Sequence, residues 1–112
     1  MIFLCNAFSI NMLSETETCG VTFSPITLRE ARELWDEGSF RCEEQRVVAI
    51  GHADTARVVG RLLGEEVEAS RISVRFRPDV DTLIVAQLRG PRLPEGATEL
   101  PEGATIEWWL VH

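Results

Sequence analysis

The sequence predicts a single α/β domain spanning residues 1–112. Three observations carry that prediction. Val47-Val48-Ala49-Ile50, a break at Gly51-His52, and an amphipathic stretch ending at Gly64 read as a buried strand, a tight turn and a helix. Thr27-Leu28-Arg29-Glu30 is a capping box that opens a second amphipathic helix. Apolar runs at Met1–Cys5, Thr82–Leu88 and Ile106–Val111 supply further strands. A chain of 112 residues can bury one core, yet it is small enough to gain from a partner subunit.

In chain order, Met1–Cys5 reads as a central strand. It gives way to Asn6-Ala7-Phe8-Ser9-Ile10-Asn11, where small polar residues alternate with larger apolar ones. Asn6, Ser9 and Asn11 suit two roles: turn and capping groups, or neutral hydrogen-bonding groups at a strand end, where ligands bind in open sheets. Ser14–Gly20 reads as a loop, and Val21–Ser24 as a short strand stopped by Pro25. The helix after Thr27 places Leu28, Ala31, Leu34 and Trp35 on one face, so Trp35 belongs to core or interface. Gly38 is its expected stop. A polar link, Ser39–Gln45, leads to the strand–turn–helix unit, whose helix buries Ala56, Val59 and Leu63 with Val58 and Leu62 flanking.

Ser70–Arg77 alternates strictly and predicts a half-buried strand, with Ile72, Val74 and Phe76 inward and Arg71, Ser73, Arg75 and Arg77 on the other face. That face is either solvated or sends Arg71 into a site. Pro78–Asp81 is a turn expected to join antiparallel strands, and Thr82–Leu88 a central strand. Arg89–Gly96 is a Pro- and Gly-rich loop, and here the chain carries a tandem copy: Leu93-Pro94-Glu95-Gly96-Ala97-Thr98 is repeated as Leu100-Pro101-Glu102-Gly103-Ala104-Thr105. Two short copies do not make a solenoid. The first copy alone follows two arginines. Trp108 and Trp109 face opposite sides of the last strand, which implies cover on both faces of the sheet.

The net charge of -7 argues against a general DNA or RNA binder. All eleven basic residues are arginine, which fits a coding bias and also suits phosphate wherever two or three converge. Cys5, Cys19 and Cys42 are odd in number and widely spaced, so free thiols are expected and no disulfide framework or zinc site. The N-terminus lacks a basic region before its apolar residues, and no run reaches membrane-spanning length. The expected location is the cytoplasm, away from membranes.

The candidate chemistry centres on His52, at the start of a helix whose first N–H groups are unpaired and suit an anion. Arg71, Arg92 and Glu95 are its candidate partners, with Asn6, Ser9, Asn11 and Gln87 as neutral helpers. No cluster of carboxylates calls for a metal, and no cofactor motif is present. A histidine with arginines suits metal-free phosphodiester cleavage, in which arginine stabilises developing charge and the imidazolium protonates the departing oxygen. Glu95 either orients Arg92 or serves as base, and orientation is the favoured role. The plain alternative is a structural histidine at a helix start.

Asn6-Ala7-Phe8-Ser9-Ile10-Asn11, the Gly51-His52-x-x-Thr55-Ala56 turn, Arg71, and Gln87-Leu88-Arg89-Gly90-Pro91-Arg92-Leu93-Pro94-Glu95-Gly96 together resemble the viral type III anti-CRISPR ring nucleases and their cellular relatives. The likeness runs from Met1 to the last strand. It implies a mixed sheet of about five strands flanked by helices, in a homodimer whose two-fold axis passes through a shared active site. The implied substrate is cyclic tetra-adenylate, the second messenger of type III CRISPR defence, cut without a metal into linear di-adenylates. By position, the resemblance makes His52 the general acid and completes the catalytic group with Arg92 and Glu95. Asn6, Ser9, Asn11, Arg71 and Gln87 become ring-binding residues. This sequence departs from the pattern in its duplicated Pro-Glu-Gly segment, and Arg89 competes with Arg92 for the phosphate. The competing expectations are a module that binds a cyclic nucleotide without cutting it, and a virion or interaction protein that assembles through its acidic surface.

Overall fold

A computed structural model describes residues 1–13, 20–41 and 46–112. Five strands, β1 (Ile2–Cys5), β2 (Phe23–Ile26), β3 (Arg46–Ala49), β4 (Thr82–Arg89) and β5 (Thr105–Val111), form one mixed sheet in the order β2-β5-β4-β1-β3. Helices α1 (Leu28–Arg41) and α2 (Ala53–Leu63) complete the α/β fold. β1 lies between β3 and β4 and runs parallel to both, while β5 runs antiparallel to β4 and β2. The carboxyl ends of β1, β3 and β4 therefore share one edge of the sheet.

Alternation along the strands divides the core in two. Leu4, Ile84, Ala86 and Trp108 face the helices, where they meet Ala31 and Trp35 of α1 and Ala56, Val59 and Leu63 of α2. Phe3, Cys5, Leu83, Val85 and Val111 face the other way and are covered by irregular chain, chiefly Val74 and Phe76 with Phe8, Met12 and Leu13 at the margin. Trp109 packs on this second side, so the adjacent tryptophans are indeed covered on opposite faces. Both helices lie on one side of the sheet.

Local chemistry explains the helix boundaries. The Thr27 amide donates to Glu30 Oε1 at 3.1 Å and the Glu30 amide donates to Thr27 Oγ1 at 3.1 Å, a complete capping box. Gly64 ends α2 in the left-handed region at φ 85°, and the next amide, that of Glu65, returns to the Gly60 carbonyl at 3.0 Å. At Gly60 an added Cβ would stand 2.7 Å from the Glu65 carbonyl oxygen and 2.8 Å from the Val67 nitrogen, so the chain leaving α2 folds back tightly over it.

Four expectations are corrected. β2 runs through Pro25 instead of stopping there. Thr22 and His112 exchange both backbone bonds, so pairing alternates to put the missing Pro25 N–H on the outer, unpaired side of an edge strand. α1 continues past Gly38 to Arg41. Residues 70–77 are extended but do not join the sheet. Their alternation buries Val74 and Phe76, yet Ile72 is 48% exposed and, among the described residues, the only strand-like pairing is one bridge from Phe76 to Leu13. The Pro78–Asp81 turn consequently leads from this covering layer into β4 and joins no pair of antiparallel strands. Its Asp81 carboxylate accepts from the Arg77 amide and from the N-terminal amine, which fixes the entry to β4 beside the start of β1. Cys5 is a free, buried thiol as expected, while Cys19, Cys42, and most of the Ser14–Gly20 loop and Ser39–Gln45 link lie outside the described residues.

Candidate functional site

The shared carboxyl edge of β1, β3 and β4 collects several of the candidate residues. Asn6 follows the last residue of β1 and is half-buried. His52 follows β3 and occupies the N-cap position of α2, with extended backbone angles of φ -120° and ψ 125°. Its carbonyl accepts the Ala56 amide at 3.0 Å, but its side chain makes no capping hydrogen bond and is exposed. An N-cap residue ordinarily satisfies one of the helix's unpaired N–H groups through its side chain. Here the ring and those donors are both left to face solvent or a ligand.

Arg71 is placed beside His52 by two contacts to the turn after β3. Its Nε donates to the Gly51 carbonyl at 3.0 Å, and the amide of its neighbour Ser70 donates to the Ile50 carbonyl at 2.8 Å. Gln87 stands near the end of β4, half-buried and opposite Glu107, on the sheet face away from the helices. Ser9 and Asn11 belong to a 3-10 turn, Ile10–Met12, that covers this same face. Ser9 is its exposed N-cap, and Asn11 lines a cleft with Ser73 and Arg75.

Arg92 and Glu95 lie in the loop after β4, both exposed. Neither bonds to the other or to His52 among the described residues. The loop is moored to α2 just beyond them: Arg57 Nη1 donates to the Ala97 carbonyl at 3.2 Å and Arg61 Nη1 to the Thr98 carbonyl at 3.5 Å. Arg57 is itself held by Asp54 in the first turn of the helix at 3.3 Å. Both copies of the repeat make the same turn, closed by Ala97 N–H to Pro94 at 3.0 Å and by Ala104 N–H to Pro101 at 3.0 Å. Gly96 and Gly103 take φ 79° and 84° at the position where a type II turn requires it. The second turn packs against Gly90, which the Gly103 carbonyl approaches too closely for any Cβ. The first projects along α2.

Electrostatically, the two competing arginines differ. Arg89 Nε is committed to Glu107 Oε2 at 3.1 Å, whereas Arg92 has no ion pair or hydrogen bond among the described residues. Sequence reasoning missed Arg57 and Arg61, whose loop contacts join residues far apart in the chain. It also missed Arg75, which the alternating run contained but did not distinguish from its neighbours. Among the described residues no three His, Cys, Asp or Glu side chains gather as a metal site, and no helix is long and apolar enough to cross a membrane.

The model of the STIV B116-like family matches residues 2–107. The chain belongs to this family. Among solved structures it is similar to B116 of Sulfolobus turreted icosahedral virus, with 27% identity and a TM-score of 0.74 over 98% of this chain and 97% of that one. A B116-like protein from a virus thus shares the whole architecture, from β1 to β5. No curated protein matches the chain.

Proposed function

We propose that this B116-like protein is a metal-independent ring nuclease that cleaves cyclic tetra-adenylate and so switches off cyclic-oligoadenylate signalling in the cytoplasm. The observation that carries the reading is the state of His52. It occupies a capping position without capping, exposed at the common carboxyl edge of three parallel strands, with an arginine fastened to the preceding residue. The motif resemblance supplies the substrate, and membership in a family with a viral protein is consistent with a counter-defence role.

In this mechanism the site binds the ring so that a 2′-OH lies in line with the adjacent phosphorus. The 2′ oxygen forms the new P–O bond and gives its proton to water, while the P–O5′ bond breaks. His52, as the imidazolium, donates a proton to the departing O5′. Arg92 stabilises the charge on the phosphoryl oxygens and Glu95 orients Arg92. The products are linear di-adenylates ending in 2′,3′-cyclic phosphate. Asn6, Ser9, Asn11, Arg71 and Gln87 hold the ring. Because the catalytic side chains lie exposed in one protomer, the proposal includes a homodimer in which two copies enclose the ring and each His52 serves one of two opposite linkages.

The same exposure favours a second reading, a module that binds the ring without cutting it. Purified protein incubated with cyclic tetra-adenylate in EDTA decides between them. The nuclease reading expects di-adenylate from wild type and a loss of about 10²–10⁴-fold in rate for His52→Ala. A ring that is bound but intact after hours establishes the second reading, and full turnover by His52→Ala removes the histidine from its role.

A further inference from the structure

A cleft of about 310 Å³ opens on the sheet face away from the helices, between the 3-10 turn and the extended segment 72–75. Its apolar part is formed by Ile72, by Val74 of the second core, and by Met12 and Ala49 at the margin of that core, and its polar part by Asn11, Ser73 and Arg75. Arg75 is exposed and has no counter-charge among the described residues. By contrast, Arg46, Arg57, Arg77 and Arg89 each meet a carboxylate. In a chain of net charge -7, an unpaired guanidinium at a concave surface is a conspicuous anion acceptor.

The cleft adjoins the segments that carry His52 and Arg71. Ala49 ends β3 three residues before His52, and Ser73–Arg75 begin two residues after Arg71, which is fastened to Gly51. A ligand spanning both features is therefore extended along the β3 edge. Its chemistry can be read from a mainly polar lining: an amide that can both donate to and accept from a base edge, a hydroxyl, and a guanidinium for phosphate, with a smaller apolar floor. The volume lies at the small end of ligand sites and suits one nucleotide unit.

We propose that this cleft is a nucleotide subsite of the ring-binding surface, in which Arg75 holds a phosphate and Asn11 meets the base of one adenylate. The assignment rests on the ring-nuclease reading for its substrate. It adds Arg75 and Ser73 as substrate-binding residues and leaves proton transfer to His52.

Cleavage kinetics and calorimetric binding of cyclic tetra-adenylate to wild type, Arg75→Ala and Arg77→Ala test the subsite. Arg77 is two residues further along the same face, pairs with Asp79 at 3.9 Å and does not line the cleft, so Arg77→Ala removes an equal charge from outside it. Losing one charge-assisted phosphate contact is expected to raise KM and Kd of Arg75→Ala about tenfold. Its kcat is expected to stay within about twofold of wild type, since Arg75 does not act on the transition state alone. Arg77→Ala is expected to leave KM and Kd unchanged. Unchanged KM and Kd in Arg75→Ala, or an equal rise in Arg77→Ala, overturns the subsite while cleavage by wild type still stands. A ring that binds but is not cut overturns the nuclease reading, with the subsite still judged by Kd. No ring binding at all overturns both.

Discussion

Arg71 lies along Gly51: its Nε donates to the Gly51 carbonyl at 3.0 Å, and its Cγ sits 3.1 Å from where a Cβ on Gly51 would stand. Gly51 is not at positive φ, so the need for glycine here comes from the arginine stem and not from the backbone. Gly51→Ala is therefore expected to push Arg71 aside at little cost in stability, within about 1 kcal/mol, because an exposed side chain can move. Ring binding should weaken about tenfold through the displaced guanidinium. The double variant separates this route from others: adding Gly51→Ala to Arg71→Ala should cost no further affinity, since the two act through one contact. Additive losses would show that Gly51 matters for another reason.

Cys5 gives the chain an alkaline signature. Burial in the second core pushes its thiol up from 9.0 to about 11, against a smaller lowering from a hydrogen bond to the Ala7 backbone. The folded state thus holds the proton more tightly than the unfolded state, so this contribution to stability is complete below pH 9 and is lost as pH rises through about 11. The loss is on the order of 2 kcal/mol. The sequence has no lysine and no tyrosine, which leaves few other groups titrating in that window. Urea denaturation at a series of pH values should show a fall in stability over this range that Cys5→Ala abolishes. A slope that survives the substitution would assign it to other groups.

A second cluster ties α1, β3 and the chain after α2 together. Trp35 Nε1 donates to Glu65 Oε1, and Arg46 pairs with the same carboxylate at 3.2 Å while its guanidinium lies 4.4 Å over the Trp35 ring. Trp35 is 2% exposed, so removing the acceptor strands a buried indole N–H as well as a half-buried cation. Glu65→Ala is expected to cost about 2 kcal/mol, and Glu65→Gln, which keeps an acceptor for the indole, about half as much. Thermal unfolding of the two variants checks the order. Equal losses would mean that the ion pair, and not the indole bond, holds this corner.

The reach of sequence reading follows from which interactions are local. The capping box at Thr27 and Glu30 and the glycine cap at Gly64 were legible because donor and acceptor sit within a few residues of each other. The β3–Gly51-His52–α2 unit was legible because its periodicity changes where the chain turns. Pro25 and the run from Ser70 to Arg77 were misread because their outcome depends on distant partners. Pro25 is tolerated by the edge position of β2, and Phe76 pairs with Leu13 instead of a strand of the sheet. The site divides the same way. His52 and Arg71 stand out by position along the chain, whereas Arg75 acquires meaning only when Asn11, from the first turn of the fold, is placed across the cleft.

The duplicated turns allow position and chemistry to be separated. Glu95 and Glu102 occupy the same place in two turns closed by the same backbone bond at 3.0 Å, and both are exposed. The turns differ in surroundings. The first follows the unpaired Arg92 and is moored to α2, the helix that begins after His52, through Arg57 and Arg61. The second packs on Gly90 at the base of the β4–β5 connection and leads into β5. If orientation of Arg92 is the glutamate's role, Glu95→Ala should lower kcat by about 10²-fold, and Glu102→Ala should leave it within about twofold. Arg57→Ala should fall between them, because it loosens the mooring without touching substrate. Deleting residues 94–100 sharpens the test. It joins Leu93 to Pro101 and recreates the Arg-x-x-Glu spacing with Glu102, but removes the contacts to Arg57 and Arg61. Activity of this variant near wild type would show that spacing alone suffices. Activity near that of Glu95→Ala, with unfolding temperature preserved, would show that the mooring on α2 places the glutamate.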